Sequence, residues 1–301
     1  MKKRLLHTAI SVILSACVKE IPYNPEMNSG PVPAVHCFIT PDSILTADCR
    51  LTAPFGSKDM PLKAAKFTLF SGGQKRDSTD YTGNGVHRFR SNSLKAGDSF
   101  VFSGRVSGMK PFDIRGKVPN AISIDAFDTS RMLVPGTGRA FSINMRFNDP
   151  AAFENHYRCY LYKTSFKYIY DYTGILTDSF LKSELISLFS DDPVAIQNNY
   201  NNYSSREVIF SDATFNGVNK QMVFYTSDPL LKTARERPVG VSFHLENISK
   251  SLFNFYNTRN AHIWQQQSIS QLPGRITGNI PGGYGVAGAY TRDFRSVALK
   301  R

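Results

Sequence analysis

The chain has 301 residues, 41% of them apolar and 12% aromatic, which is enough to fill a core and excludes global disorder. Its 36 Lys and Arg against 24 Asp and Glu give a formal charge of +12, which becomes +9 once Lys2, Lys3 and Arg4 leave with an N-terminal leader. An exported chain of this charge meets anionic envelope surfaces first, so nucleic acid is not the expected partner.

Residues 1–16 read as that leader: Lys2, Lys3 and Arg4 are followed by the apolar run Leu5 to Leu14 and by Leu14-Ser15-Ala16-Cys17, a lipoprotein cleavage box. Ten helical residues rise about 15 Å, half of a ~30 Å hydrocarbon core, so the run is a signal and not a span. Cys17 becomes the first mature residue, with a thiol suited to alkylation by a diacylglyceryl donor. Two or more acyl chains, at about 0.8 kcal/mol per buried CH₂, anchor a protein stably. Lys19 and Glu20 follow directly, either as charges read by lipoprotein sorting machinery or as a solvated linker. Pro22, Pro25, Gly30, Pro31 and Pro33 then make residues 17–33 an extended tether.

Strand patterning starts at once. Val35, Cys37 and Ile39 alternate with polar or exposed neighbours, as do Leu45, Ala47, Cys49 and Leu51 after the turn at Pro41-Asp42-Ser43. Short runs at 66–70, 86–90, 99–106 and 113–118, separated by Gly-rich turns, predict a small β-sandwich over residues 34–120. The hairpin register sets Cys37 opposite residue 47 or 48, leaving Cys49 on the diagonal at about 7–8 Å, too far for a bridge. Cys37, Cys49 and Cys159 are therefore expected as buried free thiols.

Residues 121–301 predict a second β-rich domain. Phe141, Ile143, Met145 and Phe147 alternate cleanly, and strand signals continue at 157–163, 208–210, 221–225 and 239–245. One segment breaks the period: Ile248, Leu252, Phe255, Tyr256 and Ile263 fall at helical spacing, predicting a helix over about 247–267 capped by Asn247. Gln197 to Tyr203 is Asn-rich and reads as an exposed loop.

The chemistry-bearing patterns are sparse. Gly283-Tyr284-Gly285-Val286-Ala287-Gly288 matches G-x-G-x-x-G, yet strand-like flanks and the missing acidic residue about 20 positions on point to close sheet packing, and no cofactor is expected. His244-Leu245-Glu246 lacks the Cys pair of a zinc deaminase site, and the six histidines are scattered, so no metal is expected. Asp191 and Asp192, adjacent in a loop, are expected to be solvated. Tyr160, Tyr162, Phe166, Tyr168, Tyr170 and Tyr172 would share one face of a straight strand. A turn near Thr164-Ser165 would break the row into core packing, whereas an unbroken row makes Tyr168, Tyr170 and Tyr172 candidate ligand-binding residues.

Taken in order, Cys17 to Ile21, Phe38 to Ser43, Phe147 to Pro150, Glu154 to Arg158, Phe210 to Gly217, Val241 to Tyr256 and Ile280 to Tyr290 resemble the Bacteroidota lipoprotein family known as domain of unknown function 4249. The resemblance spans nearly the whole chain. It implies an outer-membrane lipoprotein commonly encoded beside TonB-dependent transporters, with an N-terminal immunoglobulin-like or carboxypeptidase-regulatory-like sandwich over residues 34–120 and no known catalytic residues to carry over. The expected function is lipid-anchored binding or assistance to such a transporter in nutrient capture, on the periplasmic face or the cell surface. The alternative is a structural or adhesive envelope protein. No catalytic constellation is visible in the linear pattern, so an enzyme is not expected.

Overall fold

The computed structural model describes residues 31–299 apart from 42, 53–59, 135–137, 152, 197–205, 227–232 and 267–274. The expected export signal over residues 1–16, Cys17 and the Asn-rich segment lie outside the described residues. The fold is mainly β, with its strands gathered around two cores.

The first core starts at Pro33–Ile39 (β1), which pairs antiparallel with Thr46–Leu51 (β2) and buries Val35, Cys37 and Ile39. Cys37 faces Ala47 and Cys49 faces Val35, so the two thiols are staggered and unbridged. Burial pushes Cys37 up to about 12, which keeps it an inert thiol. Met60–Pro61 (β3) flanks β2. Ala65–Ser71 (β4) and Gln74–Gly83 (β5) come next, then Val86–Phe89 (β6), Ser99–Val106 (β7) and Phe112–Lys117 (β8). β5 turns the corner of the sandwich. Its first half pairs with β4 and its second half with β6, so β6, β2 and β1 fold over β4, β7 and β8 around Phe67, Leu69, Phe89 and Phe102.

The chain passes from the first core to the second between Val118 and Ile122. Ile124–Val134 (β9), Gly138–Asn148 (β10) and Asn219–Thr226 (β14) form a three-stranded sheet. It packs on a second sheet in the order Leu176–Ile186 (β12), His156–Tyr170 (β11), Glu236–Ile248 (β15) and Tyr284–Ala298 (β16). Glu207–Ser211 (β13) covers the first five residues of β11 on the edge that β12 then continues. Ile143, Met145, Phe147 and Phe224 from one sheet meet Tyr157, Leu161, Phe243 and Leu245 from the other.

β16 joins the two units. Tyr284–Ala289 run parallel to β1, and Tyr290–Ala298 run antiparallel to β15, which makes one continuous sheet. Ile280, Ala287 and Ala289 thereby fill the first core although they are distant in sequence. Here the G-x-G-x-x-G segment packs closely. Gly285 has φ +98°, and a Cβ there would lie 2.0 Å from the Val35 carbonyl oxygen. A Cβ on Gly288 would meet the Leu252 side chain at 2.6 Å.

Leu252 belongs to Lys250–Gln266 (α2), the predicted helix, which starts three residues later than its expected cap. Asn247 remains in β15, where its side chain donates to the Asn120 carbonyl at 3.1 Å. Ser249 takes the capping position: its carbonyl accepts the Phe253 N–H at 3.0 Å, and its hydroxyl accepts the Ala289 N–H at 3.1 Å. β15 runs through Ile248, so Asn247 still lies within the strand and Ser249 is the first residue free to start the helix. Pro193–Ile196 (α1) is a single turn capped by Asp192, whose Oδ1 accepts the Val194 N–H at 3.0 Å and whose Oδ2 sits 2.8 Å from Lys220. Asp192 is thus engaged and not solvated, while Asp191 is exposed.

Gly285→Ala forces the carbonyl of β1 away and should cost about 3 kcal/mol or more in urea denaturation. Gly282→Ala, also at positive φ but with open space around it, should cost about 1–2 kcal/mol. Equal losses would show that the approach of β16 to β1 is not tight.

Candidate functional site

Four of the segments that carry the family resemblance, Phe147 to Pro150, Glu154 to Arg158, Phe210 to Gly217 and Val241 to Tyr256, converge on one buried knot. Asp149, at the end of β10, accepts the Tyr157 hydroxyl on Oδ1 and the Gly217 N–H at 2.7 Å on Oδ2. Asn155 donates its side-chain amide to Asp149 and Asp212, both at 3.2 Å, and its backbone N–H to Asp212 at 2.7 Å. Asn247 reaches Asn155 Oδ1 at 3.4 Å. Asp149, Asn155 and Asp212 are each at most 6% exposed. Burial, with Asp149 close by, raises the Asp212 carboxyl above the ordinary range. The knot ties the loops at the ends of β10 and β13 to the start of β11. All its side-chain groups but Asp212 Oδ1, which is buried without a hydrogen-bond partner, are engaged within it or with the adjoining backbone. Its role is structural.

A second cluster lies between α2 and the sheet. The Arg158 guanidinium stands 4.5 Å from the ring centres of both Tyr160 and Tyr256. It donates to Glu207 at 2.6 Å and to Glu246 at 3.0 Å. Tyr160 donates to Glu246 at 2.8 Å, and Arg259 of α2 donates to Glu207. Burial pushes both carboxyls up. Arg158 and Arg259 more than offset this at Glu207, which falls below the ordinary value, while Glu246 stays raised. His244 stacks on Tyr160 at 4.8 Å and on Phe294 at 5.5 Å, with Nε2 3.1 Å from Ser242. The His244-Leu245-Glu246 motif is therefore a stacked ring and a buried ion-pair member two residues apart on one face of β15.

At the foot of α2 a half-open cleft of about 250 Å³ lies between the two cores, lined by Lys117, Asn120, Phe153, His156 and Lys250 among others. The Lys250 ammonium donates to His156 Nε2 at 3.0 Å and to Glu154 at 3.1 Å. Desolvation, and then Lys250, lower His156 to about 4 against the pull of Glu154, whose carboxylate lies 3.2 Å from Nε2, so near pH 7 the ring is neutral. This triangle clips the start of α2 to β11.

The aromatic row follows a different course. No turn interrupts it at Thr164-Ser165. β11 runs unbroken for 15 residues, and the irregularity there is one extra residue, Val239, on β15. Beyond the core the inner face of β11 carries ions. Lys163 lies 2.9 Å from Glu236 and 3.3 Å from Glu184, and Lys167 lies 2.5 Å from Glu236. These lysines hold Glu236 down at about 2 against its partial burial. On the row itself exposure rises steadily: Tyr160 is buried, Tyr162, Phe166 and Tyr168 are half-buried, Tyr170 is 38% exposed and Tyr172 fully exposed. Ile169, Ile175 and Leu176 stand beside them, also exposed. Tyr168, Tyr170 and Tyr172 thus lie together at the end of a hairpin that projects past the core. Sequence reasoning missed the Ile175 and Leu176 side of this tip, because β12 shows no alternation.

Two sandwiches that share a strand, clasped by one helix and extended by an apolar-tipped hairpin, define a mainly β protein of two cores. Residues 19–296 match the family model described as Domain of unknown function (DUF4249), and the chain belongs to that family. No curated protein matches it. Among solved structures it is similar to bovine butyrophilin, at 10% identity and TM-score 0.19, over 71% of this chain and 91% of that one. It is also similar to the collagen-binding domain of the Erysipelothrix rhusiopathiae surface protein RspB, at 7% identity and TM-score 0.19, over 90% and 97%. At that score neither likeness bears on function.

Arg158→Met takes a cation from two buried carboxylates, leaving Glu246 with the Tyr160 hydroxyl and Glu207 with Arg259, and should cost about 3 kcal/mol. Adding Glu207→Gln and Glu246→Gln should recover part of that loss, and no recovery would remove the ion pairs as its cause. His156 and His244, both lowered to about 4, charge more readily unfolded than folded. Their contribution is complete above the unfolded value of about 6.5 and drains away as pH falls towards 4. For His156 the loss is on the order of 2–3 kcal/mol. Melting temperature should drop across that window, and His156→Gln should flatten the drop.

Proposed function

We propose that this protein is a lipid-anchored binding or accessory protein of the outer membrane, held at Cys17, that assists a TonB-dependent transporter in nutrient capture. The observation that carries this reading is the hairpin tip. Tyr170, Tyr172, Ile175 and Leu176 place aromatic and aliphatic side chains in water at the far end of a strand whose base is fixed by four ions. Exposed apolar clusters with a polar rim mark interaction sites, and tyrosine supplies large contact area at small entropic cost. The leader and the family resemblance support the anchor and the transporter neighbourhood.

Affinity isolation of the native protein from its own membrane in mild detergent should bring a large outer-membrane barrel with it. Tyr172→Ala with Ile175→Ser should reduce that recovery at least tenfold while leaving the melting temperature within about 1 °C, since neither side chain packs in a core. Cys17→Ala should move the protein out of the membrane fraction. Solitary behaviour of the wild type, or membrane retention of Cys17→Ala, would overturn the reading.

A further inference from the structure

We infer that the outer edge of β12 is a self-association surface, where two copies of this chain pair antiparallel about a two-fold axis at Phe180. Among the described residues β12 is the last strand of the continuous sheet from residue 176 on, bonded to β11 on one side only. Its first eight residues are exposed on both faces. Leu176 is 51% exposed, Phe180 46% and Leu181 58%.

Sheet edges are ordinarily blunted by shortness, charged side chains, proline, a bulge or a covering element. β12 carries Asp178, Lys182 and Glu184 and one irregularity at Thr177, and its charges exclude partners that do not match them. Leu176–Ile186 contains no proline or glycine, and its register against β11 is unbroken from Asp178 to Ile186. The strand is long and regular enough to template another.

The charges select the partner. A two-fold axis perpendicular to the sheet sets residues of equal parity opposite each other, because opposed side chains in an antiparallel pair share a face. Centred on Phe180, it sets Asp178 of each copy against Lys182 of the other, Ser179 against Leu181, and the two Phe180 rings against each other. Centred on Ser179, it sets Asp178 against Phe180 and Lys182 against Leu176, so both charges face apolar groups. Centred on Leu181, it opposes Asp178 to Glu184, and like charges repel. Centred on Ser183, it sets Lys182 against Glu184, which already pairs with Lys163, Lys167 and Lys182 of its own chain, and leaves Asp178 unmatched. The Phe180 register alone matches Asp178, twice by symmetry, with Lys182 turning from Glu184 to meet it. The hairpin tips then point in opposite directions, with residue 174 of each copy at the level of Ile186 of the other and Tyr172 past the end of β12. The pairing does not depend on the transporter reading.

Phe180→Cys in the full chain tests the register. Opposed residues lie about 4.5–5.5 Å apart between Cβ atoms, so mild oxidation of native membranes should convert most of the protein to a species of twice the mass on a non-reducing gel. Leu176→Cys, whose counterpart is Glu184, should remain monomeric. Cys37, Cys49 and Cys159 are buried and do not compete. By sedimentation of the purified chain, Asp178→Lys should shift dimer to monomer, and Asp178→Lys with Lys182→Asp should restore the dimer. The inference is overturned if Phe180→Cys forms no dimer, if Leu176→Cys cross-links equally well, or if Asp178→Lys remains dimeric. A cross-link from residue 180 to a different protein would also overturn it, by assigning the edge to a foreign strand. None of these results touches the tip variants Tyr172→Ala and Ile175→Ser, so the two readings fail separately.

Discussion

The double pairing of β16 is the constraint on which the rest of the structure depends. A strand that is parallel to β1 at its start and antiparallel to β15 at its end gives the two cores one backbone in common. Such a strand is covered on both faces over its first half, by the first core on one side and by α2 on the other. Strands covered on both faces read as continuous small or apolar runs, and Gly285 to Ala289 is such a run. The glycines are there because backbone and helix approach too closely for a side chain. Where β15 stops, Ser249 and Asn279 take over its hydrogen-bonding duty to Ala289 and Ala287.

Covering the seam with α2 explains the ionic layer beneath the helix. α2 carries Asn254, Asn257, Arg259 and Asn260 within its length, so its helicity rests on tertiary contacts more than on its own sequence. Phe255 and Tyr256 reach His36 and Phe38 on β1, while Arg259 reaches Glu207 on β13. The helix therefore touches strands from both cores at once. Buried ion pairs contribute little net stability against apolar replacements of the same shape, but a broken one is costly. That asymmetry fixes the rotation of α2 on the sheet more firmly than greasy contacts would.

Half-buried elements were legible in the sequence and elements of other kinds were not. β2, β7 and β10 alternate because one face is core and one is largely water, and β1 and β15 because one face is core and the other carries polar or half-buried side chains, some of them under α2. Period two reports that difference. β5 and β12 escape because both faces of each are largely exposed. The return of residues 280–289 to the first core is invisible to any local pattern, since it depends on a partner some 250 residues away. The staggered thiols were legible because a short hairpin sets its own register. The knot of Asp149, Asn155, Tyr157 and Asp212 could be seen only as separate segments, for a hydrogen-bond network has no period. The Asn247 cap failed for the same reason: sequence offers two polar candidates within three residues, and the neighbouring strand decides between them.

The aromatic row joins structure to surface. Tyr160 spends its ring on Arg158 and His244 and its hydroxyl on Glu246, so it is consumed by the fold. From Thr164 onward the three-stranded sheet no longer faces β11, and the inner positions pass from Cys159 and Leu161 to Lys163 and Lys167. With the inner face now ionic, the strand no longer needs a hydrophobic partner to stay extended. Its outer side chains are released from packing while their spacing is kept. An even-numbered aromatic period thus continues out of a core and into solvent along a single rigid strand, which presents tyrosines at a fixed distance from the body without a flexible loop. A hairpin held straight by charges at its base loses little conformational entropy when its tip or its edge meets a partner.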